Sequence, residues 1–327
     1  MRFVYNAEER IGESEGHFVV AGIPSIDNDE RFRRRKLQRE TCWSYSEVAR
    51  KVNNFTGKLL IIYALSPHTN NNCELRNFFE QDEELNQDVI ILPVCDVNLT
   101  TNKKIGDTCN WGWEAELTMS RKTYMWFKFA VEIFKPSNHY IMKADDDIFM
   151  RVPLYLKHLE VPPREKLNMG RAIGYYKDFS NEITWHTIGY ASTPQRDVVK
   201  EIVDYESLKK LIRSPIKFRN FEQYMDFRAL NEDIMVGEVI RIKLKFKGLL
   251  TVDTKDCHYV MYIKIPLFHF ISQHLDVVIF YQIALQDYIH IQRINPVRRN
   301  GKPKAQITTV SGRHRDTFDF QKGSLQA

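Results

Sequence analysis

The chain has no CxxC pair, and its five cysteines, Cys42, Cys73, Cys95, Cys109 and Cys257, stand far apart. That spacing argues against a zinc ribbon and a thioredoxin-like redox motif. In an oxidising lumen an odd count leaves at least one thiol unpaired, while the others form one or two disulfides. Long apolar runs are missing as well. The most apolar stretch, 263–283, is interrupted by Lys264, Pro266, His269, Gln273, His274 and Asp276; polar groups at that density are too costly in hydrocarbon, so it reads as a buried helix or strand pair. The opening MRFVYNAEER lacks the continuous apolar core of a signal peptide. Either the protein is soluble or a membrane anchor lies outside this sequence. Internal repeats and low-complexity tracts are absent. Charge is nearly balanced, with 47 Lys and Arg against 42 Asp and Glu, a formal net charge of +5. The basic clusters, Arg33 to Arg39 and Arg298 to Lys304, have no aromatic interleaving and read as solvated charge, so no nucleic-acid partner is expected.

What the chain does have is size, with 327 residues and 43% hydrophobic content, enough for a large α/β core. It also has three adjacent carboxylates, Asp145, Asp146 and Asp147, in the run HYIMKADDDIFMRVP. Tyr140, Ile141 and Met142 suit a central strand, and in open α/β sheets ligands collect beyond the carboxyl ends of strands. Acids at such an edge are either a solvated turn or the ligands of a hard divalent cation, which prefers oxygen and bridges to phosphate. A metal-bound nucleoside diphosphate follows from the second alternative. Two Asn-X-Thr sequons, Asn54-Phe55-Thr56 and Asn98-Leu99-Thr100, are usable only in the secretory pathway.

Along the chain, residues 1–30 are polar and aperiodic, with Gly12, Gly16, Gly22 and Pro24, and are expected to form a poorly ordered lead-in. RFRRRKLQRETCWSYSEVARKV has helical charge spacing, KLLIIYAL is an apolar run of strand length, and DVIILPVCD is a second buried strand with Pro93 marking an edge or bulge. Tyr124, Phe127, Ala130, Val131 and Phe134 repeat as on an amphipathic helix, and Pro136 closes it. Pro153 suits the first turn of another helix. KLNMGRAIGYY and EITWHTIGYAS read as strands, and ALNEDIMVGEVIRIKL as a short helix. The simplest layout is one α/β domain at 31–290, with a nucleotide-binding first half and a mixed second half, followed by a basic polar tail at 291–327.

Several segments in one order resemble the β1,3-glycosyltransferases, and in particular the divergent kinetoplastid group that uses UDP-galactose or UDP-N-acetylglucosamine. RRRKLQRETCW resembles the family's RRxAIRxTW opening, with Trp43 one place late. DVIILPVCDVNLTTNKK, WGWEAELTMSRKTYMWFKFAVEIF, YIMKADDDIFMRVP, TIGYASTPQRDVV and NEDIMVG resemble the segments that follow, together covering roughly residues 33 to 260. The resemblance implies a GT-A type fold, Rossmann-like in its first half with a mixed sheet in the acceptor half, and an inverting, metal-dependent hexosyltransferase. It implies Mn²⁺, a UDP-sugar donor, a glycan acceptor and a Golgi-luminal setting with a membrane anchor.

By that resemblance Asp147 ligates the metal, with Asp145 and His258 in its shell, and Asp145, Asp146, Arg39 and Lys143 are candidates for the nucleotide. An inverting displacement needs one base to take the acceptor hydroxyl's proton, and the family's EDV motif places it at Asp233, with Glu232 orienting acceptor or base. The alternative for Asp233 is a helix N-cap, a role Asn231 could equally fill. His258 stands beside Tyr259 and Val260, and the alternative for it is a structural histidine. Trp111, Trp113 and Trp185 offer either sugar-stacking surface or core packing. The chain departs from the family pattern at Pro194-Gln195, at Gln273-His274 and after His258. Those departures leave open a catalytically impaired relative that binds UDP-sugar without transferring it.

Overall fold

The computed structural model describes residues 17–74, 86–102, 111–176 without 163, 183–253 without 216, 259–260 and 279–281 of one unit, and short strands within 308–326 of a second. His258, Cys109, Cys257, Gln273 and His274 lie outside the described residues, as does most of the apolar stretch 263–283. Among the described residues no helix is long and apolar enough to cross a membrane.

The first half is a parallel sheet. Strand β1 (Val19–Ile26) pairs along its whole length with β3 (Leu59–Ser66) and, on its other side, with β5 (Tyr140–Lys143). The two-residue β2 (Val48–Ala49) and then β4 (Val89–Ile91) pair with successive parts of β3. Consecutive strand residues face opposite sides, so the sheet is buried on both. Val19, Ala21, Ile23, Ile61 and Tyr63 enter one core; Val20, Leu60, Ile62 and Ile141 enter the other, against Trp126, Phe127 and Ala130 of the helix Trp113–Ile133. That helix crosses β1 at Gly22, where a Cβ would lie 2.1 Å from the Trp126 ring, and the Trp126 indole N–H donates to the Met142 carbonyl at 3.0 Å.

Residues 1–30 are therefore not a lead-in as far as the described part reaches. Val19 to Ile23 are all buried, and β1 stands between β3 and β5 in the sheet. The glycine and proline that read as punctuation have local explanations. Gly22 lets Trp126 approach, and Pro24 lies beyond Gly22, the last residue of β1 that pairs with β5. Residues 1–16 lie outside the described part.

The helix expected from Arg31 into the fifties is the shorter Asp29–Glu40, capped by the Asn28 side chain, which accepts from the Arg31 N–H. It stops because the chain turns inward at Thr41 to bury Cys42 and Trp43, with the Trp43 N–H returning to the Gln38 carbonyl at 2.9 Å. After β5 come β6 (Ile148–Met150) and the helix Val152–Leu159, with proline in its first turn as expected. The second half holds smaller sheets: β7 (Leu167–Gly170) lies between antiparallel β10 (Thr193–Pro194) and parallel β11 (Leu250–Asp253), and β8 (Ala172–Tyr176) forms a hairpin with β9 (Ile183–Thr187). The helix Glu232–Glu238 packs on β9, where a Cβ on Gly237 would come within 2.5 Å of the His186 Cβ. The expected α/β class, parallel first and mixed later, is the observed one. Within 295–327, expected as a basic tail, Thr308–Ser311, His314–Asp319 and Ser324–Gln326 pair as an antiparallel meander.

Among the described residues Cys73 and Cys95 are disulfide-bonded, and Cys42 is a buried free thiol whose pKa burial pushes up to about 12.

Candidate active site

The chain builds β1, adds β3 and β4 on one side, and then crosses to the other side of β1 to form β5. Strand order reverses between β1 and β5, and ligands of doubly wound sheets bind in the crevice outside the strand ends at such a point. The carboxyl end of β1 supplies Ser25, and that of β5 leads directly into Asp145, Asp146 and Asp147. The two ends are tied: the Ser25 hydroxyl donates to Asp146 Oδ2 at 2.7 Å, and the Arg31 guanidinium closes on Asp146 Oδ1. Asp146 is thus a buried anchor, 5% exposed in its side chain. Arg34, one turn nearer the centre of the same helix, reaches Asp147 at 3.4 Å and Asp146 at 3.5 Å. Arg31, Arg34 and Arg35 share a helix face by their spacing. Arg35 is buried and donates to the Ser25 hydroxyl at 3.3 Å and to the Ile26 carbonyl at 3.2 Å.

Lys143, the last residue of β5, is 2% exposed and sits among three carboxylates. Its ammonium lies 2.8 Å from Asp145, 2.9 Å from Glu232 and 3.6 Å from Asp233. Burial works against its charge, but Asp145, Asp233 and Glu232 outweigh that and raise its pKa well above the ordinary lysine value. The two acidic motifs, distant in sequence, therefore meet through one cation. Gly189, in the turn after β9, makes this possible: a Cβ there would fall 2.3 Å from the Lys143 ammonium and 2.9 Å from Asp233 Oδ2. Its N–H donates to the Asp233 carboxylate.

Asn231 caps the helix, its side chain accepting from the Asp233 and Ile234 N–H groups at 3.1 and 3.0 Å. The Asp233 carboxylate is consequently not the cap. Burial raises its pKa to about 8, Lys143 working in the opposite direction and Glu232 and Asp145 adding to the rise. Burial likewise lifts Asp147 to about 7, reinforced by Asp145 and Asp146 and only partly offset by Arg34 and Arg31. Asp145 is raised by burial against the pull of Lys143. Carboxylates that resist ionisation beside one another form a site that a cation would relieve.

Among the described residues no three His, Cys, Asp or Glu side chains are grouped as a metal cage. Small hard cations, however, are commonly held by one or two carboxylates together with substrate phosphates. Asp147 and Asp145, 14% and 28% exposed, are the two whose chemistry fits that role.

The structure thus brings Asp145, Asp146, Asp147, Lys143, Glu232 and Asp233 to one sheet edge. Arg39 lies a turn beyond Arg35, where Asp88 clamps its guanidinium at 2.7 and 2.8 Å and the Tyr63 ring lies 4.8 Å away. Sequence reasoning did not single out Ser25, Arg31, Arg34 or Gly189 as site residues. Ser25 falls within the stretch read as a lead-in, although FVVAGIPSI is itself an apolar run; Gly189 stands in the TIGYAS segment that carries part of the resemblance, but its contact with Lys143 has no signal in the sequence.

No protein-family model matches the chain, and no curated protein matches it in sequence. Solved structures similar in shape include the galactosyltransferase LgtC in complex with donor and acceptor sugar analogues, at 10% identity and a TM-score of 0.40, covering 86% of this chain and 97% of that one. A glycosyltransferase involved in glycosylation of the major capsid of PBCV-1 has 9% identity and a TM-score of 0.39, over 84% of this chain and 98% of that one. Mouse xyloside xylosyltransferase 1 has 7% identity and a TM-score of 0.37, over 81% and 97%. At these values the likenesses carry no argument about what the chain does.

Proposed function

We propose that the chain is an inverting hexosyltransferase that moves galactose or N-acetylglucosamine from a UDP-sugar to a glycan hydroxyl, forming a β1,3 bond, in the Golgi lumen. What supports this function above all is the Lys143 bridge, which sets Asp233 beside Asp145 at the point where strand order reverses. The diphosphate of the donor would lie over Asp145 and Asp147, with Arg31 and Arg34 facing it from the first helix. Guanidinium groups suit this position because their forked donors match phosphate oxygens. Asp147, with Asp145, would hold the Mn²⁺, which supplies charge neutralisation for the departing diphosphate. Asp233 would take the proton as the acceptor oxygen bonds to the sugar's anomeric carbon and the bond from that carbon to the diphosphate breaks. Lys143 and the Gly189 N–H hold the Asp233 carboxylate in place, and Glu232, on the same ammonium, would orient acceptor or base.

A panel of UDP-sugars assayed for transfer and hydrolysis, with and without Mn²⁺, tests the proposal. Transfer or hydrolysis of UDP-galactose or UDP-N-acetylglucosamine that depends on Asp233 is expected. UDP binding without either reaction would leave the impaired relative in its place, and no UDP binding at all would sink both.

A further inference from the structure

We infer that Asn54 is an N-glycan attachment site, modified in an oxidising secretory compartment. This goes beyond the sugar-transfer proposal and does not depend on it.

The Asn54-Phe55-Thr56 sequon forms a turn that presents its two recognised side chains outward. Asn54 and Phe55 both have positive φ, 51° and 55°, and the turn is held by backbone bonds from Asn54 N–H to Lys51, Phe55 N–H to Arg50 and Thr56 N–H to Asn53. Asn54 and Thr56 are exposed, whereas Phe55 between them packs against the core. Among the described residues the Asn54 side-chain amide has no hydrogen-bond partner.

Position favours the same residue. The turn lies before Leu59, at the amino end of β3, whereas the acidic site lies beyond the carboxyl ends of the sheet. Eight residues of strand separate the two poles by roughly 26 Å. A glycan there leaves the site open. Asn98 and Thr100 of the second sequon are exposed too, but Leu99 between them is not packed inward, and the amide and the position both differ. The Asn98 amide donates to Asn70 Oδ1 at 2.8 Å, and Asn98 follows Asp96, which holds the buried Lys122 near the carboxyl end of β1. Thr100 lies so close to Gly112 that a Cβ there would meet its hydroxyl at 2.0 Å. An independent observation supports the compartment: Cys73 and Cys95 are disulfide-bonded, and such bonds persist chiefly where the surroundings are oxidising.

In the modification, the Asn54 amide nitrogen bonds to the anomeric carbon of the first N-acetylglucosamine of a lipid-diphosphate-linked oligosaccharide. The bond from that carbon to the diphosphate breaks, the lipid diphosphate leaves, and the amide gives up one proton. The test uses the full chain isolated from the cells that make it, treated with peptide N-glycosidase in ¹⁸O-water and read by peptide mass spectrometry. Conversion of Asn54 to ¹⁸O-labelled aspartate is expected, together with loss of the glycosidase-sensitive gel shift in Asn54→Gln and Thr56→Ala and its retention in Thr56→Ser. Asn54 recovered unmodified, or label at Asn98 alone, overturns the inference.

Discussion

Asp233 sits on the second residue after its cap, and the division of labour with Asn231 makes its role separable from helix stability. Asp233→Asn should keep UDP affinity close to the parent and leave the helix cap intact while transfer falls by roughly a hundredfold to ten-thousandfold, as expected for loss of a general base. Asn231→Ala should do the reverse, costing about 1 kcal/mol of stability through the lost cap. Transfer at the parent rate in Asp233→Asn would remove the residue from the mechanism. The pH profile follows from the same environment. A base whose pKa burial raises to about 8 is mostly protonated at neutral pH, so kcat/KM should climb with pH and level off above about 8. The sign for stability is opposite: an acid raised in the folded state favours folding below its unfolded value near 4 and loses that contribution as pH rises through about 8. Asp233→Asn should therefore gain stability relative to the parent as pH increases, measured by chemical denaturation at several pH values. Lys143 is the third residue in this set. Removing a buried cation that serves three carboxylates strands them, and Lys143→Met should cost about 3–5 kcal/mol.

Among the elements, β1 shows where local pattern and tertiary position part company. The strands at Leu59–Ser66 and Val89–Ile91 and the helix at Trp113–Ile133 were legible because each is a clean apolar run or a helical repeat. In VVAGIPSI the glycine and proline break the pattern, and their reasons, the Trp126 ring and the end of β5, belong to partners more than a hundred residues away in the chain. The acidic motif and Asp233 stand out in the sequence as candidates because whole segments resemble one family's; the Lys143 junction does not, because it depends on a missing Cβ at Gly189. One consequence can be measured. Deleting residues 1–30 should abolish the cooperative unfolding transition, since it removes the strand between β3 and β5. A truncated chain that melts at the parent temperature would show that the sheet closes without β1.

At the scale of the molecule, the site exists only when the parallel sheet and the later helix are both in place. Asp147 comes from the sheet edge, Arg34 from the helix after β1, and Asp233 from a helix packed on the hairpin of the second half. A ligand that bridges these pieces should stabilise the whole unit by mass action, by RT ln(1 + [L]/Kd). The acid cluster alone repels a diphosphate, so UDP without a divalent cation should shift the melting temperature little, and Mn²⁺ alone should shift it modestly by relieving Asp145 and Asp147. The two together should shift it by more than the sum, because each neutralises the charge that hinders the other, a coupling that must be reciprocal. Asp147→Asn should remove the Mn²⁺-dependent part while leaving the fold intact, since its carboxylate is one that burial disfavours in the ionised form. Calorimetric titration of UDP in Mn²⁺ and in EDTA, with the parent and Asp147→Asn, measures this directly. Equal UDP affinity in the two buffers would show that Arg31, Arg34 and Lys143 suffice as the positive charge of the site and that the acidic triplet serves the fold rather than a metal.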